Sequence, residues 1–172
     1  MGTTLIGVSY GGDIAIGTDY DPEKADSDEV GIVLNCSGIL VGFTGHSDCS
    51  VLTDLFIDKA GECPDLHKAA EKLAIAWVEN EKLSGKKATI ALLDRENAFI
   101  VSPGKSERID TGIIAIGPGK EYALAAIRAI LAQPEVEQTT EEIVKKAFDV
   151  AAGVCILVNN SASIISLNQG GK

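Results

Sequence analysis

The chain has 172 residues, 45% hydrophobic but only 5% aromatic, and its 15 Lys and Arg against 25 Asp and Glu give a formal charge of −10. That length suffices to bury about two-thirds of the unfolded surface in one core, and a net negative field repels a phosphate backbone, which argues against nucleic acid as a partner. The apolar run over 32–43 is broken at Asn35, Cys36 and Ser37, so no stretch reaches the roughly 18 residues of a bilayer span, and no membrane association is expected.

Residues 3–9 and 13–18 are β-rich and flank Gly11-Gly12, which predicts a hairpin. The acidic segment 19–29, with Pro22, reads as a solvated loop. Residues 30–34 and 38–44 form a second predicted hairpin. Helices are expected from Ser47, as N-cap, to about Ala60, and from Pro64 to about Leu83, where Leu66, Ala69, Leu73, Ala76 and Trp77 share a face. Strands resume at 88–93, 97–102 and 112–116. A second helix pair is expected at about 120–132 and 139–151, the latter opened by Thr139 and Glu142 in capping-box spacing. The segments 155–159 and 163–167 read as a closing strand pair, with 168–172 as a flexible tail.

This order predicts an α/β (α+β) fold, a four-layer αββα sandwich of two antiparallel sheets with helix pairs on both outer faces, as one domain over 1–172. Met1-Gly2-Thr3-Thr4 has no basic n-region, so a cytoplasmic location is expected.

Several motifs point to ordinary structure. Cys36, Cys49, Cys63 and Cys155 lack a Cys-x-x-Cys spacing and read as buried free thiols. His46 and Cys49 lack the second pair that a zinc site requires. The aspartates at 19, 21, 26 and 28 lack the glycine and final glutamate of a calcium loop. Gly117-Pro118-Gly119-Lys120 is too short for a phosphate loop and reads as a helix entrance. No cofactor or metal is expected.

The runs TTLIGV, DIAIGTD ending at Asp19, GILVGFTG, AIGPGKEYALAAIRAIL and EEIVKKAFDVA follow one another in that order. In them, and over nearly its whole length, the chain resembles the HslV and proteasome β-type family of N-terminal nucleophile hydrolases. The resemblance implies a threonine hydroxyl as nucleophile, with the threonine's own freed α-amine as base, supported by a lysine that an aspartate orients. Thr3 then matches the nucleophile, Asp19 the orienting aspartate, and Gly45, in the turn Gly42-Phe43-Thr44-Gly45, an oxyanion donor. It further implies a homo-oligomeric ring, unfolded polypeptide as substrate and an ATPase unfoldase as partner.

The chain departs from that family pattern at three places. The supporting lysine should fall in the third strand, at Val30 or Asn35, yet no lysine occurs between Lys24 and Lys59. Pro118 stands where the family has a serine, and Gly153 stands in register with its second aspartate. Lys24 could reach back toward Asp19 from the acidic loop. Removal of Met1 alone would leave Gly2 covering Thr3. The expected function is therefore a ring peptidase subunit of weak or absent activity. The alternatives are a non-catalytic scaffold or regulatory homologue, or an amidase or transpeptidase in which His46 replaces the base.

Overall fold

A computed structural model describes residues 2–23 and 29–169. The elements run β1 (Leu5–Tyr10), β2 (Asp13–Thr18), β3 (Glu29–Cys36), β4 (Ile39–His46), α1 (Cys49–Gly61), α2 (Leu66–Glu79), a short 3-10 turn (Glu81–Leu83), β5 (Ala88–Leu93), β6 (Ala98–Ser102), β7 (Lys105–Arg108), β8 (Ile113–Ile116), α3 (Lys120–Leu131), α4 (Thr140–Val154) and β9 (Ser163–Leu167). They build two sheets, β8-β1-β2-β9 and β3-β4-β5-β6-β7, in which every pairing is antiparallel.

Three apolar layers explain why the sheets stack. Leu5, Ile14, Ile16, Leu40, Leu93 and Ile114 fill the space between the two sheets. On the outer face of the five-stranded sheet, Phe43, Ile90 and Phe99 meet Phe56 of α1 and Leu73 and Trp77 of α2. On the other side, Ile6, Val8 and Ala15 meet Ile127 of α3 and Val144 and Phe148 of α4. Alternate residues of β1 and β2 therefore serve different layers, as the period of two in a strand requires. The result is the αββα sandwich expected from the sequence.

The element boundaries contain four corrections. Asp48, not Ser47, caps α1, because its carboxylate accepts from the N–H groups of Ser50 and Val51. Helix α2 starts at Leu66 behind an Asp65 cap and stops before Asn80 rather than running to Leu83. The edge strand β7 was not anticipated, because KSER carries no apolar alternation. Residues 155–159 are not a strand: Cys155 caps α4, Ile156 is 93% exposed, and β9 pairs with β2 instead. The four cysteines are free but only half-buried.

Thr139 and Glu142 do form the expected capping box. Asn168 and Gln169, read from the sequence as the start of a tail, are hydrogen-bonded: Asn168 O accepts from Arg95 at 3.0 Å, and Gln169 N donates to Asp13 Oδ1 at 2.6 Å. Residues 170–172 and Lys24 lie outside the described residues.

Leu93 is fully buried between the sheets. Leu93→Ala should cost about 2 to 5 kcal/mol in urea unfolding through lost transfer energy and an unfilled cavity, whereas Leu157→Ala, in an exposed loop, should stay within about 0.5 kcal/mol of the parent.

Candidate functional site

The site is built at the N-terminal entrance to β1, where Thr3 and Thr4 are both buried. Two sets of bonds hold this short segment. Asp19, immediately after β2, receives the Thr4 N–H on Oδ1 at 2.6 Å, and its own N–H donates to Thr4 O at 3.2 Å. The other carboxylate oxygen, Oδ2, receives the Asn159 N–H at 3.0 Å, and the Asn159 side chain donates to Asp19 O at 2.9 Å. Asp19 thus ties β1, the end of β2 and the loop after α4 together.

From the other side, Thr44 Oγ1 donates to Thr3 O at 3.3 Å, and Gly119 N donates to Thr4 Oγ1 at 3.3 Å. Two glycines let the backbone come this close. A Cβ at Gly31 would run into Tyr20 Cβ and lie 2.7 Å from Thr3 Cγ2, and one at Gly117 would run into Thr3 O.

The residue that engages the Thr3 hydroxyl is Glu29, the first residue of β3: Thr3 Oγ1 donates to Glu29 Oε1 at 2.8 Å. Glu29 is 5% exposed and Thr3 7%. The buried, site-facing positions of β3 are thus 29 and 31, so Val30, which pairs with Gly45 across the sheet, is not the position that meets Thr3. Glu29 was missed because it closes an acidic run that reads as solvated loop. Counting back in twos along the strand from Gly31 would have placed it on the inner face.

Thr3, Glu29 and Gly45 line one cleft of about 410 Å³, together with Gly2, Pro118 and, at its exposed edge, His46, Lys86 and Lys87. The structure therefore brings Thr3 and Gly45 together, and places Asp19 behind Thr3 on the Thr4 amide. His46 shares the cleft, but the hydroxyl's hydrogen bond goes to Glu29. Gly153 sits in the exposed last turn of α4, and a Cβ there would meet nothing within 4 Å. Pro118 packs beside Gly2, 3.2 Å from where a Gly2 Cβ would be. Among the described residues no group of three or more His, Cys, Asp or Glu is arranged to hold a metal.

Two buried carboxylates bear on this segment, Glu29 on the Thr3 hydroxyl and Asp19 on the Thr4 amide. Burial is the largest influence on Asp19 and pushes its carboxyl above the ordinary value of 3.8; the N–H bonds from Thr4 and Asn159 pull it back, and the charge of Glu29 adds to the rise. The ionised form is the costly one in the folded state. Asp19 therefore contributes most to stability below the unfolded value, and that contribution is lost as pH rises through the raised folded value. Burial also pushes the Cys49 thiol up to about 11 and raises Cys36, so neither is a ready nucleophile.

Two outcomes are expected here. A carbon-detected NMR titration should give Asp19 a midpoint above 3.8, and Glu29→Gln should lower that midpoint by removing a like charge. Asp19→Asn keeps an acceptor for Thr4 but turns an amide toward the Asn159 N–H, and should cost about 1 to 3 kcal/mol in denaturant unfolding.

No protein-family model matches the chain. The ATP-dependent protease subunit HslV of Caldicellulosiruptor saccharolyticus is 33% identical over 175 aligned positions, covering 96% of this chain and 98% of that protein. Among solved structures, eukaryotic HslV from Trypanosoma brucei superposes with a TM-score of 0.78 at 24% identity, over 96% of this chain and 99% of that one. The Thiobacillus denitrificans BPH in complex with epoxomicin gives 0.69 at 16% identity, over 98% and 100%. These two structural likenesses establish the shared fold, and the identity of one residue in three over almost the full length of both chains establishes that this chain belongs to the HslV family.

Proposed function

We propose that the protein is an HslV-type subunit of a homo-oligomeric, self-compartmentalising ring with Thr3 as its hydroxyl nucleophile, and that peptidase activity through a terminal amine is weak or absent. The observation that carries this reading is the hydrogen bond from Thr3 Oγ1 to Glu29 Oε1. It puts an acidic side chain against the nucleophile where the family resemblance calls for a lysine cation. Opposite charge nearby holds an amine protonated, and a protonated amine accepts no proton from the hydroxyl. Losing a positioned general base costs about 10² to 10⁴ in rate.

Gly45, lining the same cleft, is the proposed backbone donor to the developing oxyanion. Asp19 acts here by fixing the Thr4 amide rather than by orienting a lysine. Unfolded polypeptide is the proposed substrate and an ATPase unfoldase the proposed partner, in the cytoplasm. Among the described residues no helix is long and apolar enough to cross a membrane.

A non-catalytic ring subunit is the second reading, and a specific feature favours it: the group that meets the Thr3 hydroxyl is the Glu29 carboxylate.

Hydrolysis of fluorogenic peptides, with light scattering on the same sample, tests the proposal. A mass that is a multiple of the subunit, with slow turnover that Thr3→Ala abolishes, is the expected result. A monomer, or turnover unchanged by Thr3→Ala, would contradict it.

A further inference from the structure

We infer that Lys86 and Lys87 make the Thr3 cleft selective for acyl groups that carry a carboxylate side chain, so that the subunit prefers an acidic residue on the acyl side of the bond presented to Thr3. This inference rests on the reading of Thr3 as nucleophile given above. Both lysines line the cleft of about 410 Å³ that holds Thr3 and Gly45, and both are exposed at its rim. Backbone contacts set their place. The His46 N–H donates to Lys87 O at 2.7 Å, Lys86 N donates to Leu83 O at 3.2 Å, and Ala88 pairs with Gly45 across β4 and β5. At Gly45, where φ is +113°, an added Cβ would lie 2.5 Å from Lys87 O. Residue 87 is thus held against the proposed oxyanion donor. The side chain of an acyl residue branches from the atom next to the carbonyl that this donor receives, which directs it to the part of the cleft that Lys86 and Lys87 border.

Charge decides between the side chains that could sit there. Among the described residues neither Lys86 nor Lys87 makes an ion pair, whereas Lys59, Lys72, Lys105 and Lys120 each meet a carboxylate of this chain. His46 stands at the same exposed edge. The carboxylate among the described lining residues is Glu29, which is buried and engaged by the Thr3 hydroxyl. Ala88, Pro103, Ile116 and Pro118 make the intervening wall apolar, suited to a methylene stem. The net charge of −10 opposes an acidic substrate at a distance, but salt screens that field over about 10 Å at 0.1 M. The rim cations therefore set the local preference. Because exposed charge pairs are individually weak, that preference is several-fold rather than absolute.

Acetylated tripeptide vinyl sulfones that differ only in a last residue of Glu, Gln or Lys test this on the full chain. Thr3 Oγ1 adds to the terminal vinyl carbon and a proton ends on the carbon beside the sulfone, so nothing leaves, no turnover is needed, and mass spectrometry reads the adduct. The Glu probe should label Thr3 about 3- to 10-fold faster than the Gln probe, with the Lys probe slowest, and the ratio should shrink toward one at about 0.5 M NaCl. The double variant Lys86→Gln/Lys87→Gln should bring the Glu-to-Gln ratio near one, and Lys86→Arg/Lys87→Arg should keep it. Lys145→Gln/Lys146→Gln makes the same change in net charge at exposed positions of α4 and should also keep the parental ratio.

Equal rates for the Glu and Gln probes, or a Glu preference that survives Lys86→Gln/Lys87→Gln, would overturn the inference while leaving Thr3 as nucleophile. A faster Lys probe would overturn it by giving control of the cleft to Glu29. Loss of the preference in the Lys145 and Lys146 variant would contradict it by assigning the effect to net charge. Absence of any Thr3 adduct with all three probes would remove both this inference and the nucleophile reading on which it depends.

Discussion

The clamp made by Asp19 is the constraint on which the site depends. One buried carboxylate holds the Thr4 N–H on one oxygen and the Asn159 N–H on the other, while its own backbone exchanges bonds with Thr4 and Asn159. Three segments far apart in sequence are thereby fixed at one point, and the residue before Thr4 is delivered between the sheets with little freedom. A backbone N–H bonded to a buried carboxylate is a charge-assisted contact, stronger than a neutral one. The cost is a buried negative charge, which is why the Asp19 carboxyl lies above its ordinary value.

Once Thr3 is so placed, the neighbouring strand decides its chemistry. Position 31 must be glycine for Thr3 and Tyr20 to fit, and position 29, two residues earlier on the same face, carries the group that meets the hydroxyl. A cation there would depress the amine and hydroxyl proton affinities. A carboxylate does the reverse to an amine, and here it accepts the hydroxyl's hydrogen bond. The family scaffold is thus retained, and a carboxylate stands beside the Thr3 hydroxyl. The lysines that do line the cleft, Lys86 and Lys87, stand at its exposed edge, where solvent screening reduces their influence.

Much of this architecture is legible from the chain. Strands with clean β character between turn signals, such as 13–18, 88–93 and 163–167, appear with the expected bounds, and the box of Thr139 and Glu142 marks the start of α4. The failures have physical causes. The run CILVN is apolar enough for a strand, but α4 continues to Val154 and the chain then turns, burying Val158 while exposing Ile156. The strand KSER, on an edge and largely exposed, needs no apolar residues and so gives no pattern. At the site, Thr3, Asp19 and Gly45 are legible through family resemblance. Glu29 is not, because its charge looks like the end of a solvated loop, and only the register of β3 turns it inward.

The most direct measurement is an atomic-resolution crystal structure of the protein, read at Thr3. The account predicts a Thr3 hydroxyl within hydrogen-bonding distance of the Glu29 carboxylate. Glu29 turned away, with a lysine ammonium beside the hydroxyl, would contradict it.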